Sequence, residues 1–474
     1  MGFGYLLLAV KSEQDNYLIG NPQFTFFKAV YKKHTNFAID YQFLPFTGET
    51  SESWGKKLYI DIPKNGDLLH RMYLNFDLEF EDGKTDQEKV APLIYNLIDY
   101  IDLYIGGQLI DRHYSSWLTI WNELIEKDSV ALASMTGIRN QMLSSAGKDT
   151  KTYSVPLRFW FNNNIGLALP LIALQYNEVK LEVRIKDKSS FNSYARGIST
   201  GTTSFDNEGR VKINRIILIN ELIHLDKEER RLFSTNNHEY LITQVQSSLN
   251  NSIQNYPALY DTSTAGDFNT LQHKVEMRFT YPIKEIFWTI QDLKGNHSSG
   301  ATDQYAENKG IFEYNYWNNF ELGKDQLGQA NFVINGKDLM DMLPANFYRN
   351  IQQFQYHNSA GLQRIDNSVA NITTDPTVGP VGGGTGLVGD DYFKQGSGIY
   401  SYSFALNPED YQPSGSLNFS KLESAVLKLT LEENSKKKAG GSNGQDTVKT
   451  INMYGINYNV LRIMSGMAGL AFIN

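Results

Sequence analysis

Cysteine is missing from all 474 residues. That excludes a disulfide framework and any thiolate metal site, leaves burial and hydrogen bonding to hold the fold, and suits maturation in a reducing cytoplasm. Basic clusters are missing too. The formal net charge is −8, and neither end carries a run of Lys and Arg, which argues against direct binding of a nucleic-acid backbone. Long apolar runs are also lacking. The strongest terminal ones, Tyr5 to Val10 and Met464 to Ile473, fall far short of the roughly 20 residues a membrane-spanning helix needs. The start lacks the flanks of a secretory signal, so a soluble chain is expected. Met1-Gly2 opens like a myristoylation site, but Leu6 stands where that pattern requires Ser or Thr.

Motifs for chemistry are equally scarce. The eight histidines, at 34, 70, 113, 224, 238, 273, 297 and 357, are never closer than 14 residues, so no His-x-His metal pair exists. Asp86-Glu88 and Asp390-Asp391 lie in loop-like sequence and read as solvated charge. The glycines at 382–386 lack the Lys and the following apolar helix of a phosphate loop. No catalytic, cofactor-binding or metal residue is assigned, and no cofactor is expected. Asn-x-Ser/Thr triplets occur at Asn250, Asn296, Asn371 and Asn418. A chain made in the cytoplasm would not meet the usual glycosyl transferase.

What the chain does have is apolar alternation. Leu58-Ile60-Ile62, Met72-Leu74-Phe76-Leu78-Phe80, Ile101-Leu103-Ile105, Val179-Leu181-Val183-Ile185 and Ala425-Leu427-Leu429-Leu431 all repeat with period two, as strands with one buried face do. Turn signals at Asn65-Gly66, Gly106-Gly107 and Asn335-Gly336 break the runs. The spacing of Trp117, Ile120, Trp121 and Leu124 predicts one helix over Ser116 to Glu126 with an apolar core face. The pattern is that of an all-β chain with a few short helices.

A chain this long exceeds one compact core, and an even split gives two β domains of ordinary size. A faint repeat agrees. Ile105-Gly106-Gly107 lines up with Ile334-Asn335-Gly336 at an offset of 229 residues (336 − 107), and Pro170 followed by Leu181 to Ile185 with Pro413 followed by Leu427 to Leu431. Between the copies, Asp226 is expected to cap a short helix in a capping box with Glu229, with Arg230 and Arg231 toward its C-terminal end. Polar or glycine-rich stretches at 187–210, 246–270, 293–310, 370–399 and 433–450 read as long surface loops.

Six strings carry a further signal: GNPQFTFFKAVYKKHTNFA at 20–38, NGDLLHRMYLNFDLEF at 65–80, IDLYIGGQLIDRHYSSWLTIWNEL at 101–124, LPLIALQYNEVKLEVRI at 169–185, QPSGSLNFSKL at 412–422 and NYNVLRIMSGMAGLAFIN at 457–474. In this order they resemble the major capsid proteins of the nucleocytoplasmic large DNA viruses. The glycine-rich start of relatives is shortened here to Met1-Gly2-Phe3-Gly4. The resemblance implies two tandem eight-stranded jelly rolls and a structural, non-enzymatic role. It also implies a homotrimeric, pseudo-hexagonal capsomer that tiles an icosahedral shell around double-stranded DNA. Implied partners are neighbouring capsomers, minor capsid proteins and the internal membrane on the inner face; the implied location is the virion shell, with assembly in the host cytoplasm. The expected partition is a basal segment 1–24, a first roll 25–222, a linker 223–240 and a second roll 241–474.

The segment after Gly20 is expected to start a helix, with Asn21 as N-cap, Pro22 at the first position and Phe24, Phe27 and Tyr31 on one face. The 28 Tyr and 26 Phe residues supply rigid area of the kind enriched in interface cores. Two rival readings are a minor shell or vertex protein with the same barrels, and a two-domain β-sandwich lectin or glycosidase. The glycosidase would need a carboxylate pair roughly 5 to 10 Å apart in one cleft.

Overall fold

The computed structural model describes residues 3–46, 53–80, 93–125, 132, 135–136, 149–187, 211–253, 272–292, 327–357, 398–431 and 449–473. Among the described residues, sixteen strands form the main paths of two sandwiches, and four short ones, Leu169–Pro170, Leu343–Pro344, Leu417–Asn418 and Met467–Leu470, pair beside them. The first holds β1 (Phe37–Pro45), β2 (Lys57–Ile62), β3 (Leu68–Phe80), β4 (Ile98–Ile105), β5 (Gln108–Tyr114), β6 (Asp149–Pro156), β7 (Val179–Ile185) and β8 (Val211–Leu225). The second holds β9 (His238–Ile253), β10 (Gln272–Glu276), β11 (Pro282–Asp292), β12 (Leu327–Ile334), β13 (Lys337–Asp338), β14 (Ile399–Ser403), β15 (Ala425–Leu431) and β16 (Lys449–Met464).

The sheets of the first sandwich run β1-β8-β3-β6 and β2-β7-β4-β5; those of the second run β9-β16-β11-β14 and β10-β15-β12-β13. Adding eight to every strand number converts one order into the other. All of these pairings are antiparallel. Two four-stranded sheets in this interleaved order make a jelly roll, so the chain is a double jelly roll.

Local sequence explains each element. In β2, Leu58, Ile60 and Ile62 are buried and the residues between them exposed. This is the pattern of a strand with one face on a core. The hairpin turns β4–β5 and β12–β13 hold Gly106 and Gly107 at φ 58° and 79°, and Asn335 and Gly336 at 49° and 75°. Two successive left-handed residues define the two-residue turn whose twist matches its strands. The repeat detected at these positions is therefore the same hairpin in each roll. The second repeat is corrected: Leu169-Pro170 pairs with Leu68-Leu69 on β3, and its structural counterpart on β11 is Leu417-Asn418, which pairs with Pro282-Ile283, rather than Pro413.

The rolls fill separate cores. Leu74, Phe76, Leu103, Leu181 and Leu218 pack in the first, and Ile286, Trp288, Phe332, Leu427 and Met453 in the second. Full burial of each such side chain contributes about 1.5–3 kcal/mol.

Several expectations need correction. No helix starts at Asn21; its φ is 51°, a conformation that stops the preceding helix Asn16–Ile19. Among the described residues the strands of the first roll run from Phe37 to Leu225. The linker helix Lys227–Thr235 has Asp226 at its N-cap, but the Asp226 side chain makes no cap bond and no basic residue stands in the last turn. Arg230 instead pairs with Asp67 of the first roll at 3.0 Å. Residues 246–253, expected as loop, continue β9, because Gln246 and Val245 keep pairing with β16. The rest of that loop, most of the other four, Asn296, Asn371, His297 and both acidic pairs lie outside the described residues.

Candidate assembly surfaces

Among the described residues the histidines do not converge. His34 contacts the Thr35 carbonyl, His70 the Phe161 carbonyl and His238 the Phe233 carbonyl. His113 pairs with Asp111 at 2.9 Å and stacks on Phe159. His357 is fully buried between Glu285, 2.7 Å from Nε2, and Glu409, 3.3 Å from Nδ1. Burial alone would push the His357 pKa down; the two carboxylates, Glu285 foremost, outweigh it and raise the pKa to about 9. Flanking carboxylates on opposite ring nitrogens make an ion-pair clamp, and no group of His, Asp or Glu suited to a metal occurs among the described residues.

The clamp sits where β11 is irregular. Its pairing with β16 slips between Ile283 and Glu285, leaving Lys284 as the extra residue of a bulge. Lys284 is buried and donates to the Pro408 carbonyl at 2.7 Å. Burial lowers its pKa against the pull of Glu285 and Glu409. A cleft of about 330 Å³ between Tyr176, Thr235, Asn236 and Ser465 has no carboxylate, imidazole or amine in its lining.

The best-built contact joins the two rolls. Along β11, Trp288 faces the second core while Phe287 packs with the first roll. Tyr454, paired with Phe287 across the sheet, turns the same way. Both meet Trp117 on the helix Ser115–Leu124, at ring-centroid separations of 5.5 and 5.8 Å. The outer face of the second roll's β9-β16-β11-β14 sheet is thus covered by the helix that follows β5 in the first roll. Ser116 hydrogen-bonds the Tyr454 hydroxyl. Asp111 on β5 accepts the Val245 amide of β9 at 3.1 Å, and Gln244 donates to the Ile110 carbonyl.

The signature strings acquire places. The tail string forms the lower half of β16 and the hairpin to Met467–Leu470. Its amides Asn457 and Asn459 bond with Gln244 and Gln246 of β9, so these buried polar groups are satisfied in pairs. The hairpin clasps the first roll: Tyr176 N donates to the Gly466 carbonyl at 3.0 Å and Asn177 to that of Ala468 at 3.0 Å. In the 412–422 string, Asn418 accepts the Ser420 amide and Phe419 packs on Phe279 and Phe404. Asn418 is therefore engaged in a turn.

Among the described residues, apolar surfaces remain uncovered in the single chain, two of them near its start. The helix Phe3–Ala9 has no buried residue, and Leu6, Leu7, Leu8, Phe24, Phe26 and Phe27 are all exposed. On β1, Phe37, Ile39, Tyr41 and Phe43 are 49%, 46%, 53% and 64% exposed. Sequence reasoning missed this β1 stripe, although its alternate apolar residues were visible in the string FAIDYQF.

A doubled jelly roll with exposed apolar surfaces on β1 and the N-terminal segment is the architecture of a shell-building protein. Known proteins agree. The family model described as "Major capsid protein N-terminus" matches residues 25–211, and that described as "Large eukaryotic DNA virus major capsid protein" matches 229–364 and 394–469. The major capsid protein of Pyramimonas orientalis virus is 34% identical over 483 residues, covering 100% of both chains. That of Paramecium bursaria Chlorella virus 1 is 30% identical over 500 residues, again covering 100% of both. The solved PBCV-1 virus capsid superimposes with a TM-score of 0.68 at 28% identity, covering 95% of this chain and 100% of that one. The Faustovirus major capsid protein, 12% identical, shares the fold with a TM-score of 0.62, covering 96% of this chain and 94% of that one. The chain belongs to the major capsid protein family of the large eukaryotic DNA viruses. It is a structural component of the virion shell.

Proposed function

We propose that three copies of this chain associate into a capsomer of six jelly rolls with a pseudo-hexagonal outline, and that such capsomers tile an icosahedral shell around double-stranded DNA. The observation that carries this reading is the repetition of one strand order in both halves of the chain. A trimer of doubled rolls approximates sixfold symmetry, and a near-hexagonal unit packs on a surface without gaps. The likeness of this chain to the solved PBCV-1 virus capsid supports it. Relatives described as major capsid proteins speak against the lectin or glycosidase reading and favour the major over the minor shell role.

The proposed partition places the first roll up to Leu225, a linker helix Lys227–Thr235 and a second roll from His238. The segment before Phe37 would lie on the inner face and meet minor capsid proteins or the internal membrane, a role supported by its exposed Leu and Phe residues. Direct DNA contact is not part of the proposal, in keeping with the net charge of −8. Absence of cysteine supports assembly in the reducing host cytoplasm. Size-exclusion chromatography with light scattering, followed by particle imaging, tests the capsomer: threefold particles are expected, and a product that stays monomeric under assembly conditions overturns it.

A further inference from the structure

The contact inside one chain is a template for a contact between chains. Within the chain, the helix after the fifth strand of the first roll presses Trp117 onto the outer face of the second roll's β9-β16-β11-β14 sheet. The equivalent sheet of the first roll, β1-β8-β3-β6, presents exposed apolar side chains along β1, interrupted by Glu221 on β8, which accepts the Tyr41 hydroxyl at 2.9 Å. Phe46 and partly buried Leu44 turn inward to the first core, whereas Phe37, Ile39, Tyr41 and Phe43 turn outward and are exposed. Phe43 pairs with Ile219 on β8, which continues the apolar face.

The other half of the contact is also duplicated. The second roll has its own helix between β13 and β14, a π-helical turn Phe347–Ile351 continued by Gln352–Tyr356. Tyr348 anchors it to the second core through Trp288 and Phe332. The same helix leaves Ile351 43% exposed and Phe354 84% exposed. One chain thus holds a buried helix-on-sheet contact plus an unsatisfied sheet face at one end and an unsatisfied helix face at the other.

We infer that the outward face of β1, centred on Ile39 and Phe43, receives the Ile351–Phe354 helix face of a second copy of this chain. The contact is heterologous, helix to sheet, so it propagates from copy to copy and closes when the rotation allows. It rests on the trimeric capsomer reading and names the surfaces that would hold it. Burying four aromatic or aliphatic side chains on one side and two on the other also removes an exposed edge strand with an apolar face, which otherwise invites aggregation.

The test uses the full chain. Ile39→Lys with Phe43→Lys attacks one surface, Ile351→Asp with Phe354→Asp the other, and Leu232→Asp is a control at an exposed apolar residue outside both. Light scattering is expected to show trimer for the parent and control, and at least a tenfold weaker association for each double variant, with unchanged circular dichroism. Should a double variant misfold, the cysteine-free parent allows a second route: chains carrying Phe43→Cys and Phe354→Cys together are treated with a long bis-maleimide. Covalent dimers and trimers are expected. Trimeric double variants, or a trimeric cysteine variant that yields only single-chain bands, overturn the surface assignment while leaving the capsomer reading intact. A monomeric parent overturns the capsomer reading itself.

Discussion

The Trp117 indole and the Tyr454 ring lie 5.8 Å apart, centroid to centroid, and both are fully buried although they belong to different rolls. Burial of that depth across an interdomain contact is unusual for two domains free to move, whose interfaces are more polar. The two rolls therefore present a fixed relative orientation, as a tile must.

Trp117→Ala follows directly. Removing a fully buried indole costs about 3–5 kcal/mol when the surroundings cannot collapse, and here it also removes the packing on Phe287 and Tyr454. The expected outcome in urea is an earlier midpoint and separation of one cooperative transition into two, with each roll keeping its β signal. A single transition at the parental midpoint would show that the interface contributes nothing.

His357 gives a pH signature. Its folded pKa of about 9 stands above the ordinary value of 6.5, so its contribution to stability is fully present below 6.5 and is lost as pH rises through 9. The shift corresponds to a contribution on the order of 3 kcal/mol. Nearby Glu285, Glu409 and Lys284 share the site, and Lys284, its pKa lowered by burial, acts in the opposite sense at alkaline pH. Comparison with His357→Gln isolates the imidazole. Thermal melts between pH 6 and 10 should show a gap between parent and variant that is widest near pH 6 and shrinks through pH 9. A constant gap would contradict the charged clamp.

Much of this architecture was legible in the sequence, for a definite reason. A strand with one buried face writes its burial into alternate residues, so Leu58-Ile60-Ile62 and Leu427-Leu429-Leu431 announced themselves. A two-residue hairpin demands left-handed residues, so Gly106-Gly107 and Asn335-Gly336 marked the repeat. The contact between rolls was not legible, because Phe287 and Trp288 sit side by side in one apolar run and belong to different cores. A strand buried on both faces loses its alternation. Nor could the string 20–38 reveal that Asn21 ends a helix instead of starting one, since asparagine serves both purposes. The stripe on β1 was written in plain alternation, yet its exposure depends on what lies beside it in space.

The two turn glycines separate backbone strain from crowding. Gly336 has φ +75° with nothing within 4 Å of an added Cβ, whereas at Gly466, φ +81°, the Cβ would come within 2.8 Å of the Tyr176 ring. A left-handed alanine costs roughly 1 kcal/mol in either place. Gly336→Ala should therefore lose about that much and no more, and Gly336→Asn still less, because asparagine tolerates the conformation. Gly466→Ala must in addition push Tyr176 aside, and Tyr176 N is the donor to the Gly466 carbonyl that fastens the final hairpin to the first roll. Its expected loss is about 2–3 kcal/mol, accompanied by faster amide exchange over Met467–Leu470. Equal losses at the two glycines would mean that the hairpin does not clasp the first roll.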